Sequence, residues 1–101
     1  SLLLTFMDNI PQPLNVLSLA RSSDKASSIP NTNLELLALR KTQHVTLDKN
    51  LWILVLEGEL IIDLPFGDFR VLRVGDSLQL AKGLKVKMEP LEETVILRQN
   101  V

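Results

Sequence analysis

Cysteine and tyrosine are absent from this chain, histidine and tryptophan occur once each, and glycine only four times. Without cysteine there is no disulfide framework, no thiolate nucleophile and no thiolate-held zinc or iron–sulfur centre, a composition that fits a reducing, cytoplasmic setting. Without tyrosine no phenolic acid is available for acid–base work. An excess of charge is missing as well: 11 Lys and Arg oppose 12 Asp and Glu, for a formal net charge of -1. No positive field is left to grip phosphate backbones or anionic lipid heads, so neither nucleic acid nor membrane is an expected partner. Long hydrophobic runs are lacking too. The opening SLLLTFM is apolar for a handful of residues, carries no basic flank and runs into Asp8. It reads as neither a signal peptide nor a membrane span, but as a short strand or arm suited to the sheet edge of a second copy.

What is present is enough for one core. At 101 residues and 46% hydrophobic types, the chain is long enough for a single domain and too short for two. Residues 1–33 read as an N-terminal arm, short helix and loop. Within IPQPLNVLSLARSSD, Pro11 and Pro13 are placed to start the helix, Leu14, Leu17 and Ala20 follow at helical spacing, and Ser22 to Asp24 offer a stop. The next stretch, SSDKASSIPNTN, is dominated by turn formers and reads as a surface loop lying across the mouth of the domain.

From residue 34 to 101 the texture changes to short apolar runs cut by turn residues. LELLALR, QHVTL, WILVLE, ELIIDL, DFRVLRV, SLQLA, LKVKM and TVILRQ have strand length, several with period-2 alternation. Gly58, Gly67, Gly75 and Gly83 all fall at the turns between them. Repeated strands on tight turns with almost no helix predict an all-β, antiparallel sandwich or barrel. Alternation places Leu60, Ile62 and Leu64, and likewise Leu84, Val86 and Met88, on inward faces. His44 and Thr46 share one face and Val45 and Leu47 the other. Periodicity alone leaves open which pair faces the interior.

The run LWILVLEGELIIDLPFGDFRVLRVGDSLQLAKGLKVKMEP, with its VLEGEL turn followed by GDSLQLAKGLKV, resembles the core of a small single-domain cupin; the likeness spans residues 38–98. The resemblance implies an antiparallel jelly-roll β-barrel with one open end, here preceded by the short N-terminal helix, and a homodimer. Metal-dependent members carry two histidines one residue apart, then a glutamate followed by six residues and a glycine, and a third histidine downstream. Counted back from Gly58, the glutamate position is Leu51 and the two histidine positions are Thr46 and His44. Counted from Gly75, the third histidine position is Val86. A divalent transition metal needs three or four donors converging at ~2 Å, so the resemblance implies a metal-free member without a cofactor. Epimerases of this family pair a histidine base, held by an aspartate, with a tyrosine acid. No tyrosine exists here, and Asp63 alternates away from the inward set.

The expected function is therefore binding of a small, largely apolar molecule in the barrel, without catalysis. Polar or aromatic groups positioned to orient it are His44, Thr46, Trp52, Arg40 and Gln79. Each also has a plain structural reading: a hydrogen-bonded wall residue for His44, a strand former for Thr46, core or rim packing for Trp52, and solvent exposure for Arg40 and Gln79. Alternatives are a structural or protein-interaction module with a filled barrel, and a metal-independent isomerase or lyase.

Overall fold

The computed structural model describes residues 10–100. The arm expected from LLLTFM lies outside them. Among the described residues a single α-helix forms, α1 (Val16–Arg21). It starts three residues beyond Pro13, because Asn15 is the cap: its side-chain oxygen accepts the Ser18 N–H at 3.0 Å, satisfying an amide the first turn leaves unpaired. The helix stops where Ser22 donates its backbone N–H to Ser18 at 3.1 Å and its hydroxyl to the Leu19 carbonyl at 2.7 Å.

Strands follow as β1 (Ser27–Ser28), β2 (Leu34–Leu39), β3 (Gln43–Thr46), β4 (Leu51–Glu57) and β5 (Glu59–Asp63), then β6 (Phe69–Arg73), β7 (Ser77–Leu80), β8 (Lys85–Pro90) and β9 (Thr94–Asn100). One sheet has the order β1-β2-β9-β4-β7 and the other β3-β8-β5-β6, with every pairing antiparallel. The architecture is a jelly roll, and it differs from a true barrel in one respect: among the described residues no ladder joins the two sheets, which face each other as a sandwich. Residues 22–33 are also less superficial than a surface loop. They contribute β1, which pairs with β2, and they place Ala26 and Ile29 against buried side chains.

Between the sheets, Leu39, Ile53, Val55, Leu60 and Ile62 are fully buried, as their alternation requires. A second apolar layer lies on the outer face of the five-stranded sheet, where Ala20 of α1 packs against Leu36, Ala38 and Val95. The β4–β9 ladder shifts register between Val55 and Glu57, a bulge that turns the chain into the Gly58 corner. Gly58 has φ +89°, and a Cβ there would sit 2.5 Å from Thr94 Oγ1 and 2.7 Å from the Glu93 carbonyl oxygen. Thr94, the buried polar residue of the core, accepts the Glu59 N–H at 3.2 Å, and its hydroxyl lies 3.0 Å and 2.9 Å from the Glu59 and Glu92 carbonyl oxygens. Among the described residues no helix is long and apolar enough to cross a membrane.

Candidate functional site

The five residues singled out from the sequence fall in three separate places. Val45 and Leu47 turn inward and pack in the core, so His44 and Thr46 are exposed on the outer face of the four-stranded sheet. The face that periodicity left open is thereby assigned, since neighbouring residues of a strand point to opposite faces. In register, His44 lies beside Lys87, which lies beside Asp63. Lys87 Nζ meets Asp63 Oδ2 at 3.1 Å, and this contact raises the lysine's pKa above its usual range. His44 and Asp63 share a face but are two strand spacings apart, about 10 Å, with the lysine strand between them; no histidine–aspartate pair forms.

Trp52 and Gln79 do come together, as register partners on the outer face of the five-stranded sheet, with Gln99 on the other side of the indole. They border an open concavity of ≈ 770 Å³. Only one sheet backs it, so it is a shallow platform from which a bound molecule would remain largely in water.

Arg40 is the centre of a charge knot that ties α1 to the sheets. Its Nε donates to Glu93 at 2.9 Å, its Nη1 to Asp24 at 2.7 Å and its Nη2 to the Arg21 carbonyl at 3.2 Å. Arg21 in turn reaches Glu93 at 2.8 Å and also pairs with Glu57. Hydrogen bonds first from Arg21 and then from Arg40 hold the Glu93 carboxyl below the ordinary glutamate range, and Glu93 and Glu57 raise Arg21 in return. With its guanidinium occupied on three sides, Arg40 acts as a fastener here.

A second, partly open cleft of ≈ 290 Å³ lies between the sheets at the end where β3, β8, β2 and β9 approach. Its floor is Leu37, Leu47, Leu51, Met88 and Ile96, all buried. Its rim is Gln43, Thr46, Asp48, Lys49 and Arg98. Arg98 is on the inner face because it pairs with Glu35 on one side and with the core residue Ile53 on the other. Gln43 is on the inner face because it pairs with Met88. Of the expected residues only Thr46 borders this cleft. Arg98 and Gln43 were not anticipated from the sequence.

A transition metal does not fit the residues present. Leu51 and Val86, at two of the positions counted as ligands, are buried and inward, while His44 and Thr46 point outward, so the four positions do not converge. Among the described residues no group of three or more His, Asp or Glu is disposed to hold a metal ion.

No protein-family model matches the chain, and no curated protein matches it in sequence. Solved structures do share its shape. A cupin-2 domain protein from Shewanella frigidimarina superposes with a TM-score of 0.71 at 18% identity, covering 87% of this chain and 94% of that one. Hydroquinone 1,2-dioxygenase from Sphingomonas sp. TTNP3, solved with 4-hydroxybenzoate bound, gives 0.73 at 15% identity, covering 85% and 71%. A DUF861 family protein from Thermotoga maritima gives 0.62 at 21% identity, covering 65% and 76%. The fold of this chain is that of a small cupin.

Proposed function

We propose that this chain is a cupin-fold binding protein that takes a small, largely apolar molecule in the cleft between its sheets, without a metal and without catalysing a reaction. The observation that carries this reading is the cleft itself, a partly open space of ≈ 290 Å³ with an apolar floor and a polar rim drawn from both sheets. Ligand sites are commonly concave, mostly apolar and edged by a few orienting polar groups, and start near ~300 Å³; an apolar cavity of about 150 Å³ already admits benzene. A single ring or a chain of about six carbons is therefore the matching size. Metal independence is supported by the donor set, since the four positions matching the family's ligands do not converge.

The same reading includes a homodimer. Leu54 and Leu97 are register partners on the outer face of the five-stranded sheet, half-buried, with Trp52 and Leu34 on the same face. A second copy is the occupant proposed for that face.

Ligand-observed NMR with benzyl alcohol and 1-hexanol tests the cleft. Both are expected to bind the wild type, and Val45→Trp, which places an indole into the space from β3, is expected to abolish binding while leaving the fold intact by circular dichroism. No binding of either probe or of the matching acids, benzoate and hexanoate, or binding indifferent to Val45→Trp, overturns the reading. Elemental analysis of protein purified without chelator is expected to show no stoichiometric iron, manganese, nickel or zinc.

A further inference from the structure

We infer that the molecule held in the cleft is a small apolar carboxylic acid, bound as its anion by Arg98. This rests on the reading of the cleft as the ligand site and adds the chemical class of the ligand. Arg98 is the one arginine of the cleft lining, brought to the inner face by its register with Glu35 and Ile53. Its side chain is 29% exposed, so the guanidinium stands partly out of water above an apolar floor. Among the described residues its guanidinium makes a single hydrogen bond, a long one of 3.4 Å from Nε to Glu35 Oε1. Both Nη atoms make none to another described residue.

A guanidinium carries five N–H donors in a planar fork that matches a carboxylate two bonds at a time. Glu35 stands at the Nε edge and leaves the Nη groups for a second carboxylate. An acid whose hydrocarbon part enters between Leu37, Met88 and Ile96 would bring its carboxylate to that level, with the Gln43 amide on the facing sheet. The remaining rim charges, Asp48 and Lys49, are of opposite sign and offset one another. A strongly hydrated dianion such as phosphate gains nothing from the apolar floor, so the hydrocarbon and the charge are both required. Glu35 has a further consequence: as a carboxylate already beside Arg98, it competes with the incoming one and sets how tightly the acid is held.

Calorimetric titrations at constant ionic strength compare benzoate with benzyl alcohol, hexanoate with 1-hexanol, and inorganic phosphate, on wild type, Arg98→Gln and Glu35→Gln. In the wild type each acid is expected to bind about tenfold or more tighter than its alcohol, as charge-assisted hydrogen bonds do over neutral ones, and phosphate alone is expected not to bind. Arg98→Gln should bring the acid down to the alcohol's affinity without changing the alcohol. Glu35→Gln, which leaves Arg98 in place, should tighten the acid only. Equal binding of acid and alcohol, a preference that survives Arg98→Gln, or phosphate binding as tight as benzoate overturns the acid assignment and leaves the cleft reading standing. Failure of all four organic probes overturns both.

Discussion

Gly58→Ala offers the sharpest quantitative check on the fold that builds the cleft. Two separable penalties are expected. Holding a non-glycine residue at φ +89° costs ~1–3 kcal/mol. The added methyl must also displace atoms that cannot yield easily: the Glu93 carbonyl oxygen at 2.7 Å and the Thr94 Cα at 2.8 Å are backbone, and Thr94 Oγ1 at 2.5 Å is held by its own hydrogen bonds. Overpacking of this kind costs a further ~1–3 kcal/mol. Gly83→Ala is the matched control, since Gly83 has φ +92° and nothing within 4 Å of the added carbon. It should lose only the backbone contribution. Urea unfolding followed by Trp52 fluorescence, supported by calorimetry, measures the difference. Gly58→Ala is expected to be less stable than Gly83→Ala by about 2 kcal/mol, equivalent to a melting point lower by roughly 8–16 °C for a domain of this size. A difference below about 0.5 kcal/mol, within the scatter of ordinary surface changes, would refute the close approach of β9 to the corner.

Other consequences are equally open to measurement. The lowered pKa of Glu93 means that its contribution to stability is present above the ordinary glutamate value of 4.5 and is lost as pH falls through the lower folded value. Glu93→Gln should therefore lower the melting point at neutral pH, with the two curves converging in acid; parallel curves would contradict the charge knot. Ala20→Leu forces a larger side chain between α1 and Leu36, Ala38 and Val95, and calorimetry should show a loss of about 1–3 kcal/mol. Light scattering at micromolar concentration is expected to return twice the chain mass, and Leu54→Glu to return the mass of one chain; a wild-type monomer removes the proposed dimer.

Much of the architecture was legible because turn chemistry and alternation agreed. All four glycines sit at turns with positive φ, and LKVKM shows its inner face directly because the alternate residues are lysines. β1 was illegible, since two serines carry no pattern and become a strand only by pairing with β2. The helix start moved because an asparagine side chain outweighed two prolines. Counting from Gly58 to place His44 and Thr46 assumed a fixed connection between β3 and β4; the face parity of Val45 and Leu47 held the better information. Arg98 was hidden for a different reason. β9 lies between β2 and β4 and is covered on both faces, so Val95, Ile96 and Leu97 run together and give no period from which the inward arginine is read. The partners of Arg40, 16 and 53 residues away in sequence, are brought to it only by the closed fold.

Among the described residues strand β3 ends its sheet, bonded to β8 along one side alone, and it also supplies Gln43 and Val45 to the wall of the cleft. A wall that is hydrogen-bonded on one edge opens more cheaply than one held on two, so guests would come and go by breathing of this strand and the 48–50 turn, with the interior strands staying still. Amide hydrogens of β3 should then exchange ahead of those in β4 and β9, and slow down once the space is filled.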